Sequence, residues 1–189
     1  MCKSGKLDDD RGETKMTLYQ DPAQLLITYL PLLPQGKALD VAMGKGRNSI
    51  FLASNGFEVV GLERDEESIR MCRGEADKAG VHIDTRHTDL ENLESYQIES
   101  SAYDLVICFY YLQRNLFPRI KDALKPGGII LYETFLIDQH IKTGHPKRRE
   151  YCFEHNELLK LFLDFRILFY REGQDSKGTY KASLVAQKI

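Results

Sequence analysis

Short apolar runs alternate with helical segments along most of this 189-residue chain. Five runs have the length and composition of buried strands: 37–42, 57–62, 81–86, 103–109 and 129–134. Three segments between them are predicted as helices: 47–55, 65–79 and 116–124. Parallel strands need crossover connections, which helices usually supply. The alternation therefore predicts a parallel sheet with helices packed on both faces.

The last part of the chain has a different order of elements. A helix at 157–163 is followed by two strand-like runs, 165–170 and 180–186, that a polar glycine-containing stretch connects. This order predicts an antiparallel strand pair. The fold class is therefore α/β: a Rossmann-like, doubly wound, mostly parallel seven-stranded sheet with a C-terminal antiparallel strand pair and helices on both faces.

The start of the chain carries a helix signal behind a polar segment. Asp21 followed by Pro22 is typical of an N-cap carboxylate with proline at the first helical position. A pair of prolines further on is predicted to end that helix. The polar segment 1–15 is expected to be a disordered tail, so that 16–189 forms a single domain.

Composition narrows the class of protein. Hydrophobic residues make up 42% and charged residues 29% of the chain, which is typical of a globular protein. The formal net charge is -2, so no overall field favours binding to nucleic acid. The apolar runs fall far short of the roughly 20 residues that span a bilayer, and 1–15 lacks the apolar core of a secretory signal. We therefore expect a cytoplasmic protein with no membrane span, and a nucleic-acid partner would need a local basic patch.

The spacing of cysteine and histidine does not favour a metal site. Four cysteines are spread along the chain: Cys2, Cys72, Cys108 and Cys152. No two of them form the Cys-x-x-Cys pair of zinc clusters and dithiol enzymes. His140 and His145 are five residues apart, which does not align them on one helical face. The sequence therefore predicts reduced core thiols and no metal.

The segment 38–49, ALDVAMGKGRNS, places a glycine turn between a strand and the start of a helix. Gly44 and Gly46 lack a Cβ atom, so the backbone can take positive φ and a ligand can approach closely. Free N–H groups at the start of the helix favour electronegative atoms. The pattern indicates a cofactor site, with Asp40 either at that site or acting only in the local turn.

Two further acids follow the next two strands. Glu63 ends the second strand roughly 20 residues after the turn, where a carboxylate can accept hydrogen bonds from both hydroxyls of a ribose. Asp89 follows the third strand. Ligands of open α/β sheets bind beyond the carboxyl ends of the strands, so we expect Asp40, Glu63 and Asp89 to converge there. Spacing alone leaves both NAD and S-adenosylmethionine open as the cofactor.

Four features of the sequence resemble one known family. They are the motif Asp40-Val41-Ala42-Met43-Gly44-Lys45-Gly46, its continuation Gly46-Arg47-Asn48-Ser49, the turn Lys125-Pro126-Gly127-Gly128 and the terminal strand pair. Together they resemble the class I S-adenosylmethionine-dependent methyltransferases, and most of all the tellurite-resistance (TehB-like) branch. The resemblance covers 35–135 well and the C-terminal hairpin more loosely. It implies an enzyme that transfers a methyl group from S-adenosylmethionine to an acceptor.

The resemblance also implies roles for individual residues. The methionine part of the cofactor would contact Asp40 and the Gly44–Gly46 turn, the ribose Glu63, the adenine ring Asp89 with Leu90, and the methyl group 108–110. The full set of candidate cofactor residues is Asp40, Ala42, Met43, Gly44, Lys45, Gly46, Asn48, Glu63, Arg64, Asp89, Leu90, Cys108, Phe109 and Tyr110. The sequence departs from the family pattern at Ala42, where glycine is usual, and the added methyl group would narrow the approach of the cofactor.

Two other functions remain open. An NAD(P)-binding Rossmann oxidoreductase would need a third glycine at position 49, where this chain has Ser49. An acid at Asp40, immediately before the turn, also fits a methyltransferase better. A protein that binds the cofactor without catalysis is the second alternative, and Ala42 is the feature that keeps it open.

Methyl transfer from a sulfonium is an in-line displacement that needs no metal, so the protein mainly aligns the reactants and excludes water. No catalytic residue is implied. If the acceptor must lose a proton, the candidate bases are Tyr111, Glu133, His140 and His145. The candidate residues of the substrate pocket are Tyr19, Tyr111, Arg114, Glu133 and His145.

The basic segment 140–151 is predicted to be a loop-like insertion where acceptors usually enter this architecture. It is either a lid that selects an anionic acceptor or a solvated surface loop. A small molecule is the expected acceptor because no separate recognition domain is predicted. An oxyanion such as tellurite, RNA and protein stay as alternatives, and both a monomer and a homodimer are compatible with the sequence.

Overall fold

The computed structural model describes residues 21–92 and 96–189, which form one sheet with helices on both faces. The strands are β1 Lys37–Val41, β2 Glu58–Glu63, β3 Ile83–His87, β4 Tyr103–Phe109, β5 Leu124–Phe135, β6 Phe165–Gln174 and β7 Tyr180–Lys188. Their spatial order is β3-β2-β1-β4-β5-β7-β6. The predicted seven-stranded α/β fold is confirmed. The predicted tail 1–15 and Tyr19 lie outside the described residues, so the domain boundary stays a prediction.

The described residues include six α-helices: α1 Gln24–Tyr29, α2 Arg47–Ser54, α3 Glu66–Ala79, α4 Phe117–Ala123, α5 Ile137–Thr143 and α6 Glu157–Leu161. Three 3-10 turns accompany them: Leu30–Leu32, Arg114–Leu116 and Arg149–Tyr151. Side chains of α1, α2 and α3 pack on one face of the sheet, and those of α4 and α6 pack on the other. Both faces are therefore covered, as a parallel sheet requires.

The sheet stops being parallel at the edge that the last two strands of the chain form. β1 pairs in parallel with β2 and β4, and the parallel pairing continues to β3 and β5. β7 pairs antiparallel with β5 and with β6. Only a short turn separates β6 from β7, and short connections favour antiparallel neighbours. The predicted antiparallel strand pair is confirmed.

Helix α3 begins and ends where its sequence signals predict. The Asp65 carboxylate accepts a hydrogen bond from the Ser68 backbone N–H at 2.9 Å, which is N-capping. Gly80 ends the helix in the left-handed conformation, with φ 68°. Two acids in the first turn also complement the helix dipole.

The helix start predicted at Asp21 and Pro22 is wrong. Helix α1 begins at Gln24, and no side chain caps it. The Ala23 backbone N–H instead donates to Oδ1 of Asn48, on α2, at 2.8 Å. A tertiary hydrogen bond thus replaces the local cap that the sequence predicted.

The turn predicted at Lys125 to Gly128 is part of β5, which begins at Leu124 and is irregular in its pairing with β4 at this point. Gly128 is required there because a Cβ atom would lie 2.9 Å from the Lys125 carbonyl oxygen and 3.1 Å from that of Tyr103. The four residues therefore form an irregular entry into the strand rather than a separate turn.

The core lies in two layers, one on each face of the sheet. Successive residues of the central strands enter opposite layers: Leu39 packs in one and Ala38 in the other. Cys72, Cys108 and Cys152 are buried free thiols, as predicted for these three. Within the described residues, no helix is long and apolar enough to cross a membrane.

Candidate functional site

The chain reverses its direction across the sheet between β1 and β4, which are neighbours. From β1 it proceeds outward to β2 and β3, and from β4 it proceeds to the other edge. Such a switch point leaves a crevice beyond the carboxyl ends of the two strands. A cavity of about 380 Å³ opens there, and its walls include Glu63, Asp89, Leu90, Tyr110 and Tyr151.

The Glu63 carboxylate is fixed at this cavity by backbone donors. Its Oε1 accepts hydrogen bonds from the N–H groups of Arg64 and Asp65, and its Oε2 accepts one from Gly44, each at 2.9 Å. A carboxylate has about four acceptor positions, so one on Oε2 is left for a ligand. The structure thus offers a hydroxyl group one strong acceptor here, rather than the two that the sequence suggested.

Asp89 and Leu90 lie on the loop after β3 and form another part of the wall. Oδ1 of Asp89 accepts a hydrogen bond from the Glu91 N–H at 3.0 Å, which orients the carboxylate. Leu90 is buried and offers an apolar surface beside it. A carboxylate next to an apolar surface suits the amino edge and the face of a purine ring.

Asp40 lies beneath the glycine turn and lines neither this cavity nor the second one described below. Its carboxylate accepts a hydrogen bond from Ser49 Oγ at 2.6 Å and is only 2% exposed. Burial raises the pKa of Asp40 to about 7, although Ser49 and the charge of Arg47 act in the opposite direction. Asp40 therefore changes charge near neutral pH. Because it lies outside both cavities, it would affect a ligand through the conformation of the glycine turn.

The two glycines of the turn have different surroundings. Gly44 has φ 56°, and a Cβ atom built on it would have no neighbour within 4 Å. Gly46 has φ 80°, and its Cβ would overlap the sulfur of Cys72 on α3. Gly44 therefore leaves open space for a ligand, whereas Gly46 allows α2 and α3 to pack closely.

Ala42 takes the left-handed conformation, with φ 57°, and lies in the cavity wall. Its methyl group is therefore at a position where it would narrow the approach of the cofactor, as the sequence predicts. The left-handed backbone also gives a physical reason for glycine at this position in the family that the chain resembles, because only glycine adopts it without strain.

Several other candidate cofactor residues have side chains that do not line the cavity. Met43 packs against Gly61 in the core, and Asn48 holds the start of α1. Cys108 is fully buried, and burial raises the pKa of its thiol to about 12. The remaining ones outside the wall are Gly44, Lys45, Gly46 and Phe109. Contact of these residues with a cofactor stays a prediction.

A second cavity, of about 500 Å³, lies on the other side of Tyr110, and both cavities include Tyr110 in their walls. Its wall is strongly polar and includes Arg47, Glu133, Arg171, Asp175 and Lys181. Tyr110 itself has a left-handed backbone, with φ 57°, and its ring packs against Phe135. The Tyr110 ring therefore lies where two cavities adjoin, at the carboxyl edge of the sheet.

Glu133 is held in a buried network rather than left free as a base. Lys181 Nζ contacts Glu133 Oε1 at 2.7 Å, Asp175 Oδ2 at 3.0 Å and Tyr110 Oη at 3.3 Å. Ser183 Oγ donates to the other oxygen of Glu133 at 2.8 Å. Burial lowers the pKa of Lys181, but the hydrogen bond and charge of Glu133 outweigh this and raise it. Lys181 therefore stays protonated at neutral pH.

Arg114 and His145 lie outside the walls of both cavities. Arg114 forms an ion pair with Glu157 at 2.6 Å and donates to the carbonyl oxygens of Glu150 and Cys152. Arg114 thus joins two segments of the chain.

His145 meets the ring of Phe135 edge-on and is exposed. The substrate-pocket role suggested for Arg114 and His145 therefore finds no support in their positions.

Tyr111 lies in the wall of the first cavity, but its hydroxyl is buried and has no hydrogen-bond partner among the described residues. Burial raises the pKa of Tyr111, so that the phenol stays protonated at neutral pH. These properties argue against Tyr111 as a general base. Its backbone carbonyl accepts a hydrogen bond from Tyr132 Oη at 2.7 Å, which fixes this part of the wall.

The basic segment 140–151 is more ordered than the predicted loop, because α5 extends to Thr143. Its arginines face acids: Arg148 pairs with Glu150 and Arg149 with Glu154, both at 2.7 Å. His140 Nδ1 lies 2.8 Å from the carbonyl oxygen of Pro146, which is buried at the first cavity. The segment therefore contributes Pro146 and Tyr151 to the wall of the first cavity, and its two arginines are paired with acids.

Sequence reasoning missed several residues of the two cavities. Pro146 and Tyr151 were assigned only to a basic segment, and Lys181 only to a strand. Arg47 could have been found, because it directly follows the glycine turn. Among the described residues, no three His, Cys, Asp or Glu side chains are grouped so that they could hold a metal ion.

Residues 38–128 match the family model of a methyltransferase domain. This range contains the glycine turn, Glu63 and Asp89, and the observed strand order is that of a doubly wound sheet with an antiparallel end. Over this range the chain is a methyltransferase domain, similar to those of class I S-adenosylmethionine-dependent methyltransferases.

Within that class, the chain is similar to TehB. TehB of Haemophilus influenzae, which is named as an S-adenosyl-L-methionine-dependent methyltransferase, is 27% identical over 141 residues, or 72% of this chain and 48% of TehB. The crystal structure of that TehB superimposes with a TM-score of 0.74 at 22% identity, over 88% of this chain and 62% of the other.

Two further proteins show how far the similarity extends. The ubiquinone biosynthesis O-methyltransferase of Idiomarina loihiensis is 31% identical over 112 residues, or 57% of this chain and 44% of that protein. The structure of PH0226 from Pyrococcus horikoshii has a TM-score of 0.71 at 21% identity and covers 95% of this chain and 93% of that one. The chain spans about half the length of the curated relatives it matches.

Proposed function

We propose that this chain catalyses methyl transfer from S-adenosylmethionine to a small-molecule acceptor. The observation that carries the proposal is the cavity at the switch point, whose wall contains the acids Glu63 and Asp89 together with the apolar Leu90. These are the groups that hold a ribose and a purine at this place in open α/β sheets. The family match supports the same cofactor.

The described residues fit this cofactor. Glu63 would accept a hydrogen bond from a ribose hydroxyl through Oε2, and Asp89 would accept one from the amino group of adenine. The open space above Gly44 admits the methionine part next to the turn. When bound, the cofactor supplies an electrophilic methyl group on a sulfonium. We expect no metal requirement, because this displacement needs none.

The role of the protein in this reaction is to hold the cofactor and the acceptor in position and to exclude water. Both cavities share Tyr110 in their walls, so an acceptor in the second cavity would reach the methyl group past the edge of this ring, because the reacting atoms must come within about 3.5 Å. Pro146 and Tyr151 line the first cavity, where a bound cofactor would displace water. Both oxygens of Glu133 are engaged, by Lys181 and Ser183, so we assign it to positioning the wall rather than to general base catalysis.

The acceptor that fits is small. The second cavity has a volume of about 500 Å³, which is in the range of small-molecule sites. The ion pairs of Arg148 and Arg149 argue against a nucleic-acid acceptor. A cytoplasmic location and a monomeric or homodimeric state are proposed from the sequence alone.

The alternative function, that of an NAD(P)-binding oxidoreductase, has less support. Position 49, where a dinucleotide-binding turn would have its third glycine, is occupied by Ser49, which is buried and donates to Asp40. A serine side chain there fills the space in which helix and strand would otherwise pack against glycine. A cofactor-binding protein without activity remains the second candidate, because Ala42 narrows the cavity.

The test is formation of S-adenosylhomocysteine from S-adenosylmethionine, measured by chromatography with a panel of phenols, thiols, amines, carboxylic acids and selenite. We expect turnover of at least one acceptor class and its loss in Asp89→Ala. Binding of the cofactor with no turnover of any class would contradict the enzymatic proposal and favour the non-catalytic alternative.

A further inference from the structure

The second cavity has an apolar part in addition to the polar wall described above. Three apolar side chains line this part: Ile27, Tyr29 and Phe169. Tyr29 is the last residue of α1 and Phe169 is on β6, and the centroids of their rings are 5.5 Å apart. Both rings are half-buried, and Ile27 is 39% exposed. Apolar surface between α1 and the sheet is therefore open to a ligand.

The register of the strands relates the apolar part to the polar part. Two rows of residues cross β5, β7 and β6 on this face of the sheet. The row nearer the carboxyl edge is polar: Glu133, Ser183 and Arg171. The next row is apolar: Leu131, Val185 and Phe169. Rows on one face are two residues apart, or about 7 Å, which is a distance that one aromatic ring can bridge.

Tyr110 offers a hydrogen-bond donor beside the polar row. Lys181 Nζ donates to Tyr110 Oη at 3.3 Å, and its other contacts are with Glu133 and Asp175. An ammonium has three N–H donors, so these three partners occupy all of them. Because Tyr110 Oη already accepts a hydrogen bond from Lys181, its own proton is available to an oxygen atom of a ligand.

The charges in the polar part favour an oxygen nucleophile over an amine. Lys181 engages both acids there, Glu133 and Asp175, so that these carboxylates are not free to bind an ammonium. Arg47 and Arg171 also line the cavity, and each donates to a backbone carbonyl oxygen. A ligand therefore meets two guanidinium groups, which disfavour a protonated amine and stabilise an oxygen that loses its proton.

We propose that the methyl acceptor is a phenol, whose ring packs against Tyr29 and Phe169 and whose hydroxyl oxygen lies at Tyr110. This inference rests on the proposed function. The phenol oxygen forms a bond to the methyl carbon, the C–S bond breaks with its electron pair left on sulfur, and the phenolic proton passes to water. The hydroxyl of Tyr110 orients the phenol oxygen. An inorganic oxyanion would leave the apolar part of the cavity unfilled.

The experiment is a fluorine NMR titration of the protein loaded with S-adenosylhomocysteine. The probes are para-fluorophenol, para-fluorobenzylamine, which has the ring but an ammonium group, and fluoroacetate, which has an anionic oxygen but no ring. We expect para-fluorophenol to bind most tightly. Phe169→Ala should weaken its binding about 5-fold to 10-fold through the loss of an aromatic contact.

Leu168→Ala is the matched control. Leu168 is the neighbour of Phe169 on β6, is 38% exposed and lies outside the walls of both cavities. This variant should bind para-fluorophenol as the wild type does. An unchanged affinity for S-adenosylhomocysteine shows that Phe169→Ala is folded, since Phe169 does not line the first cavity.

With S-adenosylmethionine in place of S-adenosylhomocysteine, the same spectra report methyl transfer, because the product para-fluoroanisole has its own signal. Tighter binding of fluoroacetate or para-fluorobenzylamine, or an unchanged affinity for para-fluorophenol in Phe169→Ala, would overturn the inference. Methylation of selenite or fluoroacetate without formation of para-fluoroanisole would overturn it as well and leave the proposed function intact. If no acceptor yields S-adenosylhomocysteine, the proposed function itself fails, and the phenol acceptor fails with it.

Discussion

Two glycines only two positions apart differ in what a side chain would meet. Gly44 and Gly46 both have positive φ, but only Gly46 faces another helix, at Cys72. We expect Gly46→Ala to lower the free energy of unfolding by about 3 kcal/mol, because conformational strain and overlap with the sulfur add up. Gly44→Ala should cost only about 1 kcal/mol, the strain alone. Urea unfolding at neutral pH measures both; equal losses would contradict the different surroundings.

Asp40 gives the stability of the protein a pH dependence. Its pKa is about 7 in the folded chain, against roughly 3.9 when unfolded, so the folded state holds the proton more tightly. The stabilisation is complete below about pH 4 and is lost as the pH rises through 7. Relative to Asp40→Asn, the wild type should therefore lose up to about 1.4 kcal/mol per pH unit between these values. Unfolding curves from pH 4.5 to 8 measure the difference; parallel profiles for the two proteins would argue against it.

Residue positions along the chain were easier to predict than side-chain directions. Glu63 and Asp89 lie at the cavity because the ends of parallel strands share one edge of the sheet, which the sequence pattern reveals. Met43 and Asn48 lie in the same motif but point into the core and towards α1. Their directions depend on Gly61 and Ala23, partners that spacing in the sequence does not identify.

At the scale of elements, the antiparallel strands β5 and β7 carry the buried ion pair between Glu133 and Lys181. The register places Glu133 opposite Ser183 and Phe135 opposite Lys181. Lys181 and Glu133 side chains are 12% and 10% exposed. Such a pair is destabilising when one partner is removed, because the other charge stays buried and unpaired. This ion pair therefore stabilises the junction of the two strands at the wall of the second cavity.

We expect Lys181→Met to lower the free energy of unfolding by roughly 3 kcal/mol, and the double variant Lys181→Met, Glu133→Gln to recover much of it. Lys142→Met is the control, since Lys142 is an exposed lysine near the same strand and should change stability by less than about 0.5 kcal/mol. Urea unfolding of the four proteins makes the comparison. A loss in Lys181→Met no larger than in Lys142→Met would refute the structural role.

Element predictions succeeded where a local signal coincided with the tertiary structure. Helix α3 has both an N-cap at Asp65 and a terminal glycine at Gly80, and its bounds were predicted correctly. Helix α5 was missed because its contacts are distant: Oε1 of Gln139 accepts from the Tyr180 N–H at 2.8 Å. Helix α1 was predicted too early because the N–H of Ala23, just before the helix, donates to Asn48 on α2, a partner that the local sequence does not identify.

At the scale of the whole molecule, the net charge is slightly negative, and the arginines of segment 140–151 do not form an unpaired basic surface. The net charge is -2, and Arg148 and Arg149 are each paired with an acid. We expect no measurable binding to single-stranded RNA at about 0.15 M salt, where weak surface attraction is screened. Fluorescence anisotropy with a labelled oligonucleotide tests this. Binding that falls steeply with added salt would reveal a basic surface and reopen a macromolecular acceptor.

The order of the strands brings distant parts of the sequence to one edge, and this determines both the cavity and its class of ligand. The most direct measurement is calorimetric titration of S-adenosylhomocysteine into the wild type and Asp89→Ala, with NAD and NADP as controls. The account predicts one site per chain with a micromolar Kd, at least 10-fold weaker binding in the variant and no binding of the nicotinamide cofactors. Binding of NAD or NADP, or an unchanged affinity for S-adenosylhomocysteine in Asp89→Ala, would contradict it.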